Sequence, residues 1–454
     1  MQILVLGNGY DRSAGLPTGY EQYFQFVSDQ YPDYFQEFKF LLAKPVEENT
    51  IGPEEIWINS STNHFELRFD EVKYDNKYKQ PIKDYISIVS DSNILKKISN
   101  SDITLWHLYF YYCNIFGNIN DNWSSVEEKI LEVIQFEDPK SPLYIQKNDI
   151  DVNNSGLMRL LESKMRTKYH PTDDTIHIGN EKIDRDENNT TMLDNYDKAK
   201  IIFSLFLCEK YSQESENSIV ESLKKELLDF EEDFRKYIEG IYTDLVTTKG
   251  KRDAYRSNLR PLLSKGEKEL YILNFNYTDL SLTKESISFD FQVNKETIKA
   301  NQNNVHGIYY DKIVFGIDHN EIKTKDDKYI FTKTFRKLET KFKNKPKGLP
   351  SKESVNVISF FGHSLAKADY SYFKSIFDFY DIYDSNTLLI FYFYNYDDSP
   401  NKRIETTREV VGLLESFANN MYNGHVGKQK NLLHKLILED RLKISEVKMK
   451  KILK

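Results

Sequence analysis

The chain has 454 residues and a formal net charge of −8, from 70 acidic and 62 basic side chains. This length favours more than one compact unit, and 39% hydrophobic with 29% charged residues is typical of a globular protein rather than a disordered one. A net acidic chain lacks the basic excess of most nucleic-acid-binding proteins, so a nucleic-acid partner is not expected. Two cysteines, Cys113 and Cys208, cannot form a four-thiolate zinc site or a disulfide framework.

The N-terminus reads as a strand followed by a loop and a helix. Residues 2–6 are mostly apolar and run directly into Gly-Asn-Gly, which predicts a buried first strand rather than a signal peptide. Thr18 can cap a helix that carries Tyr20, Tyr23, Phe24 and Val27 at helical spacing. The apolar run 388–394 is far shorter than the ~20 residues of a membrane helix. We therefore expect a cytoplasmic protein without a membrane partner.

The C-terminal half alternates short β-rich runs with helical stretches. Strands are predicted at 271–276, 304–306, 313–317, 355–361 and 387–394, and helices at 370–380 and 404–419. This alternation predicts an α/β fold with an open parallel sheet of the Rossmann-like type. Ligands bind such sheets at the carboxyl ends of the strands, so the polar residues there are the candidates for a site.

The middle of the chain has a different pattern. Apolar residues recur at helical spacing in 103–115, 126–134, 199–211 and 219–242, whereas the polar stretch 148–195 predicts a loop. We predict a core formed by residues 1–40 and 266–400, a large α-helical insertion at 41–265, and C-terminal helices at 401–454. The basic, amphipathic tail 432–454 is interpreted as a solvated terminal helix rather than a binding arm.

The strongest local motif is GNGYDRSAGLPT at residues 7–18. Glycines directly after a strand allow close approach of a ligand, and a neighbouring helix N-terminus favours phosphate. The motif is not the dinucleotide fingerprint G-x-G-x-x-G, because Arg12 takes the place of the third glycine. A phosphate cradle and a purely structural tight turn are equally compatible with it.

Three further motifs follow predicted strands. In NFNYTD (274–279), Asn276 can orient a sugar hydroxyl or a water, or the segment can simply form an Asx turn. His306, followed by glycine, can act as a general base or serve a structural role. Asp318 and His319 lack a third ligand at recognisable spacing, so no metal is expected.

The segment Gly362-His363-Ser364 ends another predicted strand and allows either hydroxyl contacts to a ligand or an ordinary strand-to-helix connection. It lacks the G-x-S-x-G elbow of hydrolases, which makes Ser364 a poor nucleophile. Within the insertion, residues 121–128 (DNWSSVEE) predict a capping box at a helix start. The alternative is that their carboxylates overhang the site.

Taken in order, GNGYDRSAGLPT, DNW-SS-VEE, NFNYTD, HG with FGID, and FGHSLAKAD resemble the AbiH-type phage abortive-infection family. This resemblance spans most of the chain. More distantly, residues 1–30 and 270–395 resemble SIR2-like NAD-binding proteins, in which such loops surround NAD. The resemblance therefore implies a SIR2-like core, with NAD as substrate or ligand.

The SIR2-like resemblance also implies residue roles. Asn276 matches the asparagine that positions the nicotinamide ribose and the attacking water, and His306 matches the catalytic histidine. Asp11 fits the AbiH pattern, where it can hydrogen-bond the ribose or Asn276, and completes the expected catalytic set. The expected NAD-binding residues are Gly7, Asn8, Gly9, Gly15, Pro17, Thr18, Asp279, Gly316, Asp318, Gly362 and Ser364.

The departures from sirtuin deacylases indicate which reaction to expect. The chain cannot supply their four-cysteine zinc module, and an insertion over the site would block an acyl-lysine peptide. Both features favour cleavage of NAD with water as acceptor. The resemblance implies an anti-phage effector that responds to a phage-derived trigger, and SIR2-like defence enzymes are often homo-oligomers. Two alternatives stay open at this stage, a nucleotide-binding sensor without turnover and a nuclease or RNA-binding effector.

Overall fold

The structure is a computed structural model. It describes residues 1–43, 55–59, 64–68, 85, 88–89, 103–115, 123–135, 175–178, 181–184, 198–199, 202–203, 206, 219–248, 250–282, 288–293, 295–318, 322–343, 348–365, 369–395, 401–421 and 426–452.

The strands are β1 (Gln2–Leu6), β2 (Glu55–Asn59), β3 (His64–Arg68), β4 (Thr175–Ile178), β5 (Glu181–Asp184), β6 (Glu269–Asn274), β7 (Ser288–Val293), β8 (Glu296–Asn304), β9 (Val357–Phe361), β10 (Leu388–Phe393) and β11 (Leu442–Glu446). The α-helices are α1 (Gly9–Ser13), α2 (Tyr20–Gln30), α3 (Pro32–Ala43), α4 (Leu105–Ile115), α5 (Trp123–Ile134), α6 (Ile219–Thr247), α7 (Lys251–Ser257), α8 (Lys333–Glu339), α9 (Tyr370–Phe379), α10 (Lys402–Met421) and α11 (Val426–Leu438).

Seven strands form one mixed sheet in the order β11-β10-β9-β1-β6-β8-β7. All neighbouring pairs are parallel except β7 with β8. Numbered along the chain, the six parallel strands have the order 3-2-1-4-5-6, which is that of doubly wound α/β sheets. Strand addition therefore reverses beside β1, and the carboxyl ends of β1 and β9 flank the switch point. The predicted α/β class and mostly parallel sheet are confirmed.

Both faces of the sheet are covered, which explains why residues 3–6 of β1 form a continuous apolar run. Leu4 and Leu6 pack into one hydrophobic cluster together with Tyr23 of α2 and Phe230 of α6. The alternate residues Ile3 and Val5 pack into a second cluster that contains these buried side chains of α9 and α10: Phe373, Phe377, Leu413 and Phe417. The helices predicted at 370–380 and 404–419 thus form the second layer.

Described parts of the middle segment pack on the first face. The ring of Tyr23 lies 5.7 Å from Phe230 and 5.0 Å from Phe234, and its hydroxyl is 2.9 Å from His107 Nε2. Trp106 Nε1 donates to the Leu223 carbonyl at 3.0 Å, joining α4 to α6. These helices share one core with the sheet. The boundaries of the core, insertion and C-terminal segment stay predictions.

The middle segment is not entirely helical, which corrects the prediction. β2 pairs with β3 and β4 with β5, each antiparallel. The second pair falls inside 148–195, where a loop was predicted. Its alternation of Ile176 and Ile178 with polar residues is a strand pattern that the surrounding polar stretch concealed. Most of the helix predicted at 199–211 lies outside the described residues.

The C-terminal prediction is also wrong in part. After α10 and α11, residues 442–446 form β11, which pairs parallel with β10 at the edge of the sheet. Beyond it, the Ile452 N–H donates to the Ala14 carbonyl at 2.8 Å. The open hydrogen-bonding edge of β10 gives this segment partners that a solvated helix would lack.

In the C-terminal half of the chain, several strands begin or end at residues other than those predicted. The edge hairpin of β7 and β8 was not predicted, and β8 ends at Asn304, so residues 305–306 already belong to the loop. The strand predicted at 313–317 is reduced to two isolated bridges, Gly307 with Ile313 and Ile317 with Thr332. The strand predicted at 271–276 ends at Asn274, whose side-chain carbonyl accepts the Asn276 N–H at 3.0 Å and turns the chain.

Among the described residues, no helix is both long enough and apolar enough to cross a membrane.

Candidate functional site

A cavity of about 340 Å³ lies at the carboxyl ends of β1, β6, β8, β9 and β10. Helices also contribute to the lining: Glu127 of α5, Ile238 of α6, Lys333 of α8, and Lys402, Thr406 and Glu409 of α10. The cavity brings together the predicted site residues Gly7, Asn8, Gly9, Asp11, Thr18, Asn276, His306, Gly362 and Ser364. Within the described part of the chain, the other predicted residues are not in its lining: Gly15, Pro17, Asp279, Gly316 and Asp318.

Two glycine loops meet at the switch point. The Gly7 N–H donates to the Phe361 carbonyl at 3.0 Å, and the Gly9 N–H to the Gly362 carbonyl at 2.7 Å. A Cβ added to Gly7 would lie 2.5 Å from the Gly362 oxygen, and one added to Gly9 would lie 2.5 Å from the Gly362 Cα. The contact between the two loops therefore already requires glycines, independently of any ligand.

Thr18 does not cap α2, in contrast to the prediction; the residue at the cap is Gly19. The Thr18 hydroxyl instead donates to Asn8 Oδ1 at 2.7 Å, while Asn8 Nδ2 donates to the Thr18 carbonyl at 3.2 Å. These bonds close the loop on itself. Gly15, with φ 85°, follows α1, and the Pro17 carbonyl accepts the Tyr237 hydroxyl at 2.6 Å.

The two asparagines after β6 have different roles. Asn274 builds the turn, because its Nδ2 donates to the Thr278 carbonyl at 3.0 Å while its Oδ1 accepts the Asn276 N–H. Asn276 Nδ2 donates to the Gly7 carbonyl at 3.0 Å, and its Oδ1 is buried without a hydrogen-bond partner among the described residues. An unpaired buried acceptor costs about 1–3 kcal/mol, so Asn276 Oδ1 is a candidate ligand contact.

Asp11 is buried on the glycine-loop side of the cavity. Its carboxylate accepts hydrogen bonds from the Tyr255 hydroxyl and, at 3.0 Å, from the Thr278 hydroxyl. Burial raises the pKa of Asp11 from 3.8 to about 7, and these two bonds oppose that rise. Among the described residues Asn276 is not a partner of Asp11, so that suggested contact is absent.

On the other side, Asp369 accepts hydrogen bonds from three side chains. His306 Nε2 lies 3.0 Å from its Oδ1, His363 Nε2 lies 3.0 Å from its Oδ2, and Lys333 Nζ lies 2.7 Å from Oδ1. Burial alone would raise the pKa of Asp369, but the Lys333 ammonium and the two histidines hold it well below its usual range. Asp369 is therefore a carboxylate, and both histidines must donate to it through Nε2–H.

The two histidines differ at their second nitrogen. Nδ1 of His363 accepts the Leu365 N–H at 3.1 Å, whereas Nδ1 of His306 is buried without a partner among the described residues. Burial, with the Lys333 charge, lowers the pKa of His306 to about 4, so its ring is neutral near pH 7. Phe275 packs edge-on against both rings, at 5.2 and 5.0 Å. His306 thus presents a fixed, unprotonated Nδ1.

Glu127 connects helix α5 to this network. Its Oε2 accepts a hydrogen bond from Lys333 Nζ at 2.7 Å, and both side chains are buried. Burial raises the pKa of Glu127 to about 8, although the Lys333 charge opposes the rise. The alternative that this segment's carboxylates overhang the site therefore holds for Glu127. The side chains of Ser124 and Ser125 lie outside the described residues, so the predicted capping box stays a prediction.

The remaining predicted residues lie outside the cavity lining and make contacts within the protein. Asp279 accepts the Ser281 N–H at 2.8 Å in a turn, and Asp318 accepts the Ser371 hydroxyl at 2.8 Å beside the start of α9. At Gly316, a Cβ would lie 2.6 Å from the Phe331 carbonyl oxygen, so glycine is needed where these two segments touch. His319 lies outside the described residues.

The described residues contain no group of three or more His, Cys, Asp or Glu side chains arranged to hold a metal ion. The predicted site residues did not include Lys333, Asp369 and His363, which organise His306, and Glu127 was considered only as an alternative to the capping box. Asp369 and His363 lie within the FGHSLAKAD motif, and Glu127 within VEE, so their types and places were visible. Lys333 carried no signal in the sequence.

The family model described as Bacteriophage abortive infection AbiH matches residues 3–392. No curated protein and no solved structure matches the chain. The matched range includes both glycine loops, the β6 loop and every residue of the network around Asp369. The chain therefore belongs to the bacteriophage abortive infection AbiH family.

Proposed function

We propose that the protein is a cytoplasmic abortive-infection effector with a SIR2-like, Rossmann-like core that hydrolyses NAD⁺ to nicotinamide and ADP-ribose once infection is sensed. Membership of the AbiH family supports the abortive-infection role. The reaction is proposed from the site itself. NAD⁺ is the substrate in this reaction, and the trigger is a phage-derived component.

The position of the cavity supports a dinucleotide ligand. Sheets with the strand order 3-2-1-4-5-6 bind dinucleotides outside the carboxyl ends of the strands at the switch point. Here the loops after β1 and β9 meet at that point, and both line the cavity. Its volume of about 340 Å³ falls within the usual range of small-molecule sites, roughly 300–1,000 Å³.

The observation that carries the proposal concerns two atoms of cavity-lining residues, His306 Nδ1 and Asn276 Oδ1, which are buried without a hydrogen-bond partner in the part of the chain that the structure describes. A water between substrate and protein would donate one hydrogen bond to each. As the bond between the ribose C1′ and nicotinamide breaks, nicotinamide leaves as a neutral base with the bonding electron pair. The water oxygen forms the new bond to C1′, and its proton passes to His306 Nδ1 and then to solvent.

The surroundings favour water over a larger nucleophile. Glu127 and Ile238 come from the helices of the middle segment and line the same cavity, which restricts the space beside the strand ends. Enclosure of this kind excludes competing acceptors from an oxocarbenium-like intermediate. The two cysteines of the chain also cannot form the zinc module of sirtuin deacylases.

The test is NAD⁺ consumption by the purified protein, with nicotinamide and ADP-ribose followed directly, in wild type, His306→Ala and Asn276→Ala. We expect turnover in wild type and a loss of about 100-fold or more in His306→Ala. Cleavage that persists in His306→Ala would refute the assignment of the base. If the protein binds NAD⁺ or ADP-ribose tightly but consumes no NAD⁺, either when purified or in infected cells, it is a nucleotide-sensing module and not a hydrolase.

A further inference from the structure

Lys333 is the first residue of α8 and its side chain is only 2% exposed. Its ammonium lies 2.7 Å from Asp369 Oδ1 and 2.7 Å from Glu127 Oε2. Three elements distant in sequence, α5, α8 and the start of α9, are thus joined by one buried cation. An ammonium removed from water in this way is stable only with such partners.

Lys333 and His306 share an acceptor atom. Both bond to Oδ1 of Asp369, at 2.7 and 3.0 Å, while His363 occupies Oδ2. The ammonium therefore contributes to holding Asp369 as the carboxylate that fixes the His306 ring. Without that cation, a buried aspartate beside two histidines would take up a proton or form an ion pair with an imidazolium.

The buried charges do not cancel. Asp369 and Glu127 supply two carboxylates against the single ammonium of Lys333, so burial favours retention of one proton. The raised pKa of Glu127, about 8, indicates that Glu127 is the group that holds it. Among the described residues, the charged and titratable groups around His306 include Lys333 and Lys337 of α8, Asp369 directly before α9, Tyr372 of α9 and His363, with Glu127 bound to Lys333.

We propose that Lys333 and Glu127 are positioning residues for His306. Lys333 keeps Asp369 in the state that leaves His306 Nδ1 free, and Glu127 links helix α5 of the predicted insertion to that network. The middle segment therefore contributes to the organisation of the reacting centre as well as covering it. This inference rests on the proposed role of His306 as base.

The first experiment measures the tautomer and pKa of His306 by NMR of the full-length, ¹⁵N-histidine-labelled protein, with His306→Gln used for assignment. In wild type we expect a neutral Nε2–H ring at pH 7. Lys333→Gln removes a neighbouring positive charge and should raise the pKa of His306 by at least one unit. Asp369→Asn removes a negative charge, and should lower that pKa or mix the two tautomers. Changes in the same direction, or none, would overturn the proposal.

Glu127 is tested in a separate variant, Glu127→Gln, which keeps the size of the side chain and a hydrogen bond to Lys333. This variant tests the network even if Lys333→Gln fails to fold. We expect the His306 resonances of wild type to shift near pH 8, as Glu127 titrates, and Glu127→Gln to abolish that shift. Glu128→Gln, at the adjacent exposed position of α5, is the matched control and should retain it. A shift that persists in Glu127→Gln would contradict the assignment.

NAD⁺ cleavage is followed in parallel to separate the two proposals. If the protein cleaves NAD⁺, Lys333→Gln should move the acid limb of the turnover–pH profile upward by at least one pH unit relative to wild type, because His306 then protonates more readily. If the protein does not cleave NAD⁺ but the NMR shifts occur, the positioning role stands and only the hydrolase is refuted.

Discussion

Two regions of the cavity each contain one buried aspartate. On the glycine-loop side, Asp11 accepts hydrogen bonds from the hydroxyls of Tyr255 and Thr278, and burial raises its pKa to about 7. On the opposite side, Asp369 contacts an ammonium and two imidazoles, which hold its pKa well below its usual range although it too is buried. Burial sets the cost of a charge, and the partners decide whether it persists. One cavity therefore contains a permanent carboxylate and an aspartate that titrates near neutrality.

The largest expected effect is on NAD⁺ turnover, and it distinguishes His306 from His363, the two histidines that bond to Asp369. Glutamine can keep an N–H donor near the Nε2 position but has no equivalent of Nδ1. We expect His306→Gln to lose about 100- to 10,000-fold in NAD⁺ turnover, the usual contribution of general base catalysis. We expect His363→Gln to lose less than tenfold, because its Nδ1 is occupied by the Leu365 N–H. Equal losses would mean that the free nitrogen is irrelevant.

The next effect concerns Asp11 and the pH dependence of stability. Because folding raises the pKa of Asp11 to about 7, the folded state binds the proton more tightly than the unfolded state. Its contribution to the free energy of unfolding is thus fully present below about pH 4 and is lost as pH rises through 7. Asp11→Asn should therefore gain stability relative to wild type by about 1.4 kcal/mol per pH unit over that range.

Denaturant unfolding at pH 5, 6, 7 and 8 measures this difference. Asp33→Asn, an exposed position on α3, controls for the loss of one acidic side chain. If the difference in free energy of unfolding between wild type and Asp11→Asn is constant across these pH values, the pKa of Asp11 is not raised, and the contrast with Asp369 fails.

The smallest effect tests the backbone contact that brings both regions to one cavity. In Gly362→Ala, the new Cβ would lie 2.5 Å from the Tyr10 nitrogen at a φ of +71°. We expect a loss of about 1–3 kcal/mol in the free energy of unfolding, as for other overpacked sites. Gly412→Ala, in α10 with no atom within 4 Å, should instead gain about 0.5–1 kcal/mol. Similar changes in the free energy of unfolding for the two variants would show that the close contact between the loops after β1 and β9 is not needed for stability.

Much of the strand-end architecture was accessible from sequence because it depends on local pattern. Mostly apolar runs such as β1 and β9 occur where a strand is buried on both faces, and glycine or asparagine follows where the chain turns. β11 and the β7–β8 hairpin were missed, since both lie at sheet edges, where burial is incomplete and the apolar signal is weak.

Several residues of the site could be predicted from the sequence, but their hydrogen-bond partners could not. Asn276 and His306 were identified because they follow strands, and strand ends converge in a parallel sheet. Asp11 was also identified, but its partners Tyr255 and Thr278 come from other elements. Gly7 and Gly9 were predicted for the approach of a ligand, whereas their tightest contacts are with the Gly362 loop.

By itself the sequence determined the α/β alternation, the strand-end motifs and the resemblance to the AbiH family, because these depend on periodicity and on residues close together along the chain. Only the tertiary structure decided which side chains carry charge. Lys333 lies 206 residues from Glu127 and 36 residues from Asp369, yet its ammonium contacts both. No local pattern encodes such contacts, because they arise when helices from distant segments pack over the same end of the sheet. The free Nδ1 of His306 depends on that packing.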